Sequence, residues 1–215
     1  MRGVVLQHGL GEHAEMLRLT QARHAAWADR WGMRYHANFE RNITHRNMYW
    51  EKMWLIREEL KTLRTGALLL WLDADTLVER PAVNPHTAMP EGYDFGACEC
   101  FTQEKRRVLN AGVMFLRASP TMRSFFETCW AHGPIPAMDS GIAHPRHDEA
   151  RINVELETRW PELRVSCLPA TWNAFGQILC PDNPVIRAWH NQPSTTTRRR
   201  MKTRLAELEP QREAC

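Results

Sequence analysis

Ala67-Leu68-Leu69-Leu70-Trp71-Leu72-Asp73-Ala74-Asp75 sets six apolar residues directly before two carboxylates. The run follows the turn signal Thr65-Gly66 and ends at the acids, so its length suits a strand rather than a helix. A strand with no polar residue on either face is covered on both sides, as in a parallel sheet with helices above and below. Asp73 and Asp75 stand two apart, and on an extended chain such residues point to one side.

Outward from this strand, apolar runs alternate with helical segments. That alternation predicts an α/β domain with a mixed, mainly parallel sheet flanked by helices. Residues 4–6 read as a first strand, 13–31 as a helix stopped by Gly32, 33–37 as a second strand and 48–63 as a helix. Residues 79–94 contain Pro81, Pro85, Pro90 and Gly92 and read as loop. Residues 93–100 and 113–116 read as further strands, and Ser119 caps a helix that starts at Pro120. Residues 133–146 are rich in Gly and Pro and read as a loop. Residues 148–160 read as a helix ending before Pro161, and 163–190 as short strands and turns. From Gln192 the composition changes: Ser194-Thr195-Thr196-Thr197 lead into Arg198-Arg199-Arg200-Met201-Lys202-Thr203-Arg204. This stretch reads as a basic contact surface or as a solvated chain end. The expected organisation is one domain over 1–191 and a basic tail over 192–215.

The chain has 215 residues, 43% hydrophobic and 25% charged, enough to bury the core of one domain. A net charge of +3 neither requires nor excludes a nucleic-acid partner. The six cysteines form no CxxC pair and show no zinc spacing. The apolar run near the N-terminus is too short for a signal peptide, and no stretch approaches the roughly 18 apolar residues of a membrane span. The expectation is a cytoplasmic protein with reduced thiols.

Ligands of open α/β sheets collect at the carboxyl ends of strands. Two carboxylates there offer hard oxygen ligands suited to Mn²⁺ or Mg²⁺. A metal so held can neutralise a diphosphate that gains negative charge as its bond to a sugar breaks. An ordered set of further motifs accompanies this pair: Trp50-Glu51-Lys52 with Leu55, Trp71 to Val78 around the acids, and Leu109-Asn110-Ala111-Gly112-Val113-Met114-Phe115-Leu116-Arg117. His147-Asp148-Glu149, Leu168-Pro169-Ala170-Thr171-Trp172-Asn173 and Trp189-His190 follow. From about Tyr49 to His190 the chain resembles the retaining GT-A glycosyltransferases, in particular the glycogenin-like and the fungal and plant α-galactosyl/xylosyltransferase families.

The resemblance implies transfer of a hexose or pentose from a nucleotide-sugar donor, UDP-sugar favoured, to an acceptor hydroxyl with retention of configuration. Asp73 and Asp75 match the metal-binding DxD, and His190 matches the late-strand histidine that completes the metal site. Lys52 matches a basic residue close to the sugar nucleotide. Asn110 matches a residue near donor sugar and acceptor, with Gly112 beside it allowing close approach of backbone to ligand or forming a bulge. Asp148 and Glu149 match the acidic pair near the reacting sugar carbon, and they also suit the first turn of a helix. At the end of the first strand the chain departs from the pattern: Gln7 and His8 stand where related enzymes hold base and ribose, which puts uridine specificity in question.

Three other enzyme classes lack their hallmarks. His8-Gly9 resembles the oxyanion strand of α/β-hydrolases, but the chain has no G-x-S-x-G elbow. Asp73-Ala74-Asp75-Thr76 resembles the haloacid-dehalogenase nucleophile motif without its later paired-Asp partner. No phosphate-binding P-loop is present. The acceptor is left open between a glycan, a small molecule and modified DNA. Lys105-Arg106-Arg107 and the Arg198–Arg204 stretch are able to neutralise phosphates. A non-catalytic protein that binds nucleotide sugar or nucleic acid is the alternative outside enzymes.

Overall fold

The computed structural model describes residues 2–101, 107–135, 148–175, 181–189 and 193–208. Strand β1 (Gly3–His8) leads through Gly9 into helix α1 (Glu12–Arg30). A Cβ on Gly9 would lie 2.7 Å from the His13 carbonyl oxygen, so only glycine lets the chain turn this tightly from strand to helix. Strand β2 (Met33–Asn38), helix α2 (Trp50–Thr62) and strand β3 (Leu68–Leu72) follow. Next come β4 (Thr76–Val78), β5 (Phe95–Phe101) and β6 (Arg107–Arg117). Helices α3 (Pro120–His132) and α4 (Asp148–Thr158), strands β7 (Val165–Leu168) and β8 (Ile186–Ala188), and helix α5 (Ser194–Leu208) complete the order.

Six strands form one sheet in the order β2-β1-β3-β6-β5-β7, and β4 pairs with β8 apart from it. β1 runs parallel to β2 and β3, β5 runs parallel to β7, and β6 is antiparallel to β3 and β5. Five strands therefore point one way, as the alternating pattern predicts. Leu69 and Trp71 enter a core built with Trp50, Met53, Ile56, Phe125 and Phe126 of α2 and α3. Leu68, Leu70 and Leu72 enter a second core with Trp27 and Ala28 of α1. Two cores on opposite faces are why the run from Leu68 to Leu72 carries no polar residue.

Ser119 caps α3 by accepting the Met122 N–H at 3.0 Å, as its sequence context predicts. Strand β6 is longer than the expected 113–116, because Arg107, Val108 and Leu109 also pair with β5. Ala97 pairs with Met114 but Glu99 pairs with Leu109, so several β6 residues bulge opposite Cys98. Residues 194–208 form a fifteen-residue helix rather than a solvated end. Its Met201 and Leu208 are buried against Met16 of α1, Leu77 of β4 and Trp189. Of the expected loop at 133–146, all but 133–135 lies outside the described residues. Among the described residues no helix is long and apolar enough to cross a membrane.

Candidate active site

Parallel pairing puts the carboxyl ends of β1, β2 and β3 on one edge, where Gln7 lies beside Leu72 and His8 beside Asn38. Asp73 follows β3 at that edge. Its backbone is tied on several sides: its N–H donates to Gly112 O at 2.8 Å, and its carbonyl accepts from Thr76 Oγ1 at 2.7 Å and Gln7 Nε2 at 3.3 Å. Its carboxylate accepts from Trp71 Nε1 at 2.7 Å and meets Lys52 Nζ at 3.0 Å. The Asp75 carbonyl accepts the Trp189 N–H at 3.2 Å, which joins the acidic segment to the end of β8.

Lys52, in the first turn of α2, gathers the parts. Its ammonium lies 3.0 Å from Asp73, 2.9 Å from Asp148 and 3.0 Å from the Ala111 carbonyl to which it donates. Burial opposes its charge, but Asp148 and Asp73 outweigh this and hold it protonated well above the ordinary lysine range. Asp148 is itself 4% exposed. Beside it Glu149 accepts the Ala111 N–H at 2.9 Å. The β6 bulge thus presents both groups of Ala111 to the site, its carbonyl to Lys52 and its amide to Glu149. Asn153, one turn along α4, clamps the same strand by accepting Leu109 N–H at 2.8 Å and donating to Leu109 O at 2.9 Å. Asp148 and Glu149 open helix α4, and that helix end faces the β6 bulge through the Ala111 N–H that Glu149 accepts.

Asn110 is oriented by its oxygen, which accepts from Gly112 N at 2.9 Å and Asn173 Nδ2 at 2.7 Å. Cys100 lies beside it, and burial followed by the Glu149 charge pushes that thiol up to about 11, so it stays protonated.

Gln7 is fully buried and faces inward rather than into the edge. Its oxygen accepts from His24 Nδ1 at 2.7 Å and from the Tyr35 hydroxyl at 2.8 Å. His24 Nε2 accepts the Val78 N–H at 3.1 Å, which fixes the proton on Nδ1. Burial, then Arg23, pushes His24 down to about 3, so the imidazole is neutral. Gln7 therefore acts as a strut behind Asp73. His8 holds its Nδ1 3.1 Å from the Asn38 side-chain oxygen, while its Nε2 is buried without a hydrogen-bond partner among the described residues. His190 lies outside the described residues.

The donor chemistry suits a hard divalent cation as far as it is described: Asp73 and Asp75 are both half-buried at the sheet edge. Among the described residues no group of three or more His, Cys, Asp or Glu side chains gathers, so further ligands would come from His190, water or a bound diphosphate. His24, Tyr35, Glu51, Asn153 and Asn173 join the site's hydrogen bonds without a role expected of them from the sequence. Glu51 and Asn173 fall inside the motifs quoted above. Asn153 carries a helical signal, standing four residues after Glu149.

No family model matches the chain, and no curated protein matches it in sequence. Solved structures do match. A glycosyltransferase involved in glycosylation of the major capsid of PBCV-1 is 12% identical over 93% of this chain and 98% of its own, with a TM-score of 0.73. The galactosyltransferase LgtC, in complex with donor and acceptor sugar analogues, is 10% identical over 95% of both chains, with a TM-score of 0.57. Drosophila β-1,4-galactosyltransferase 7, as a mutant bound to manganese, UDP-Gal and xylobiose, is 13% identical over 89% of this chain and 72% of its own, with a TM-score of 0.50. At such identities the likeness is one of architecture, and the architecture shared by all three is the GT-A glycosyltransferase fold.

Proposed function

We propose that the protein is a metal-dependent glycosyltransferase that moves a hexose or pentose from a nucleotide sugar, UDP-sugar favoured, to an acceptor hydroxyl. The observation that carries this reading is the convergence on Lys52: one buried ammonium touches Asp73, Asp148 and the β6 bulge. The end of β3 and the start of α4 are thereby held as a single constellation on the ligand-binding edge of a GT-A sheet.

Asp73, Asp75 and His190 would hold Mn²⁺ or Mg²⁺, which supplies charge neutralisation for a departing nucleoside diphosphate. Lys52 adds fixed positive charge beside Asp73 and keeps Asp148 paired in a buried place. Glu149, oriented by Ala111 N–H, is placed to stabilise positive charge that develops at a sugar carbon. Asn110 is oriented to donate its NH₂ to a sugar hydroxyl. Gln7 and His8 stand at the edge where the base would sit, Gln7 acting from behind. Retention rests on the sequence resemblance. A glycan or small sugar is the favoured acceptor, in keeping with the acceptor analogue and xylobiose bound by two of the neighbours. Modified DNA gains no support from them.

Nucleotide release from a panel of UDP-, GDP-, ADP- and CMP-sugars with Mn²⁺ tests the proposal, beside Asp75→Asn. Release from one donor that needs the metal and falls at least about 100-fold in the variant is the expected result. Metal-dependent nucleotide binding without release would instead indicate a binding protein, and neither binding nor release would overturn the metal-site reading.

A further inference from the structure

The proposed site leaves the outward face of α5 without a role. Two adjoining grooves run along it, of about 290 Å³ and about 490 Å³. Both are lined by Arg199 and Thr203; Arg200 and Trp189 extend the first, and Lys202 and Thr195 extend the second. Other cations nearby are neutralised: Arg187 and Arg204 hold the buried Glu79 carboxylate, and Arg198 pairs with Glu15. Arg199, Arg200 and Lys202 are exposed and have no carboxylate partner among the described residues. On a chain whose net charge is only +3, three unneutralised cations on one helix face are a local concentration.

We propose that this face binds an anionic glycan, a chain bearing uronate, sulfate or phosphate groups, as the non-reacting part of the acceptor. The acceptor role rests on the glycosyltransferase reading; the binding surface stands on its own geometry. Charge supplies attraction for the anionic groups, and the threonine hydroxyls between the cations suit the hydroxyls of a sugar chain. The band also reaches the catalytic edge: Trp189 lines the first groove, and its N–H donates to the Asp75 carbonyl. A bilayer is a poorer fit. The apolar residues Met201 and Leu208 face inward onto α1 and β4 and are not available to insert. Single-stranded nucleic acid is poorer still, since it needs aromatic platforms and Trp189 is only 7% exposed.

Binding of the full chain to polygalacturonate, neutral dextran, phosphatidylserine vesicles and duplex DNA separates these partners. The triple variant Arg199→Gln, Arg200→Gln, Lys202→Gln changes only exposed side chains and leaves the Glu79 ion pairs intact. The expected result is polygalacturonate bound in preference to the other three, weakened at least about 10-fold in the variant and by added salt. Melting temperature and donor hydrolysis are expected to be unchanged in the variant. Equal binding by both proteins, or tighter binding of vesicles or DNA than of polygalacturonate, overturns the proposal. Loss of donor hydrolysis in the unmodified chain would strike the catalytic reading and leave the binding result standing.

Discussion

Buried beside Arg23, the His24 imidazole fits the fold only as the neutral tautomer that takes Val78 N–H and gives its own proton to Gln7. The unfolded chain protonates this histidine near pH 6.5, whereas the folded chain resists until about 3. The group's contribution is therefore fully present above pH 6.5 and is lost as pH falls toward the folded value, by at most about 1.4 kcal/mol per pH unit. Urea unfolding at several pH values between about 4 and 7 should show a steeper loss for the natural chain than for His24→Gln. Parallel pH profiles for the two proteins would refute it. The position of Asp73 and Asp75 after a buried strand is legible in the sequence because their spacing and the strand before them are local signals. The strut behind them is not: His24 lies 17 residues from Gln7 and 54 from the Val78 amide it accepts. Within the helical pattern of α1 nothing marks it from the helix's other polar residues.

Between β2 and α2, residues 39–49 have no regular structure, yet they are fastened from within. The fully buried Glu51 carboxylate accepts Asn42 N–H, Ile43 N–H and the Asn42 side-chain amide, at 3.0 to 3.1 Å. Arg46 lies over Trp130, 4.1 Å from the ring centroid, and donates to the Trp130 carbonyl at 2.6 Å. This loop leaves the carboxyl edge of the sheet at Asn38 and returns one turn before Lys52, so its order bears on where Lys52 sits. Glu51→Gln keeps the shape but replaces one acceptor oxygen with a donor that faces N–H groups. A loss of about 1–3 kcal/mol is expected, together with faster hydrogen exchange at Ile43 than at the β1 amides. Unchanged exchange at Ile43 would show that Glu51 does not hold the loop. At this scale strands and helices are legible because hydrophobic period is a local property. The β6 bulge is not, because the register of 107–117 depends on a partner strand and on Asn153 of α4.

Helix α5 decides whether the chain is one cooperative body or a body with an appendage. Its sequence reads as a basic tail because five basic residues stand among only four apolar ones, and the inward positions Thr197, Met201 and Leu208 are spaced too sparsely to advertise a packed face. Packing nonetheless joins it to the rest. Met201 is fully buried against Met16, Leu77 and Trp189. Glu79, at the end of β4, accepts from Arg204 of α5 at 2.8 Å and from Arg187 of β8 at 2.5 Å, and Arg23 of α1 donates to its carbonyl at 2.9 Å. Burial alone would raise the Glu79 carboxyl, but Arg204 and Arg187 hold it below the ordinary carboxylate range. One acidic residue thus ties together α1, β4, β8 and α5. Met201→Ala is expected to open a cavity felt by the whole domain and to lower global stability by about 2–5 kcal/mol. Far-UV circular dichroism and tryptophan fluorescence should then shift together, in one coincident transition, because seven of the nine tryptophans lie between Trp27 and Trp160. An appendage would behave otherwise: a small early loss of helical signal, followed by a main transition at the temperature of the unmodified chain.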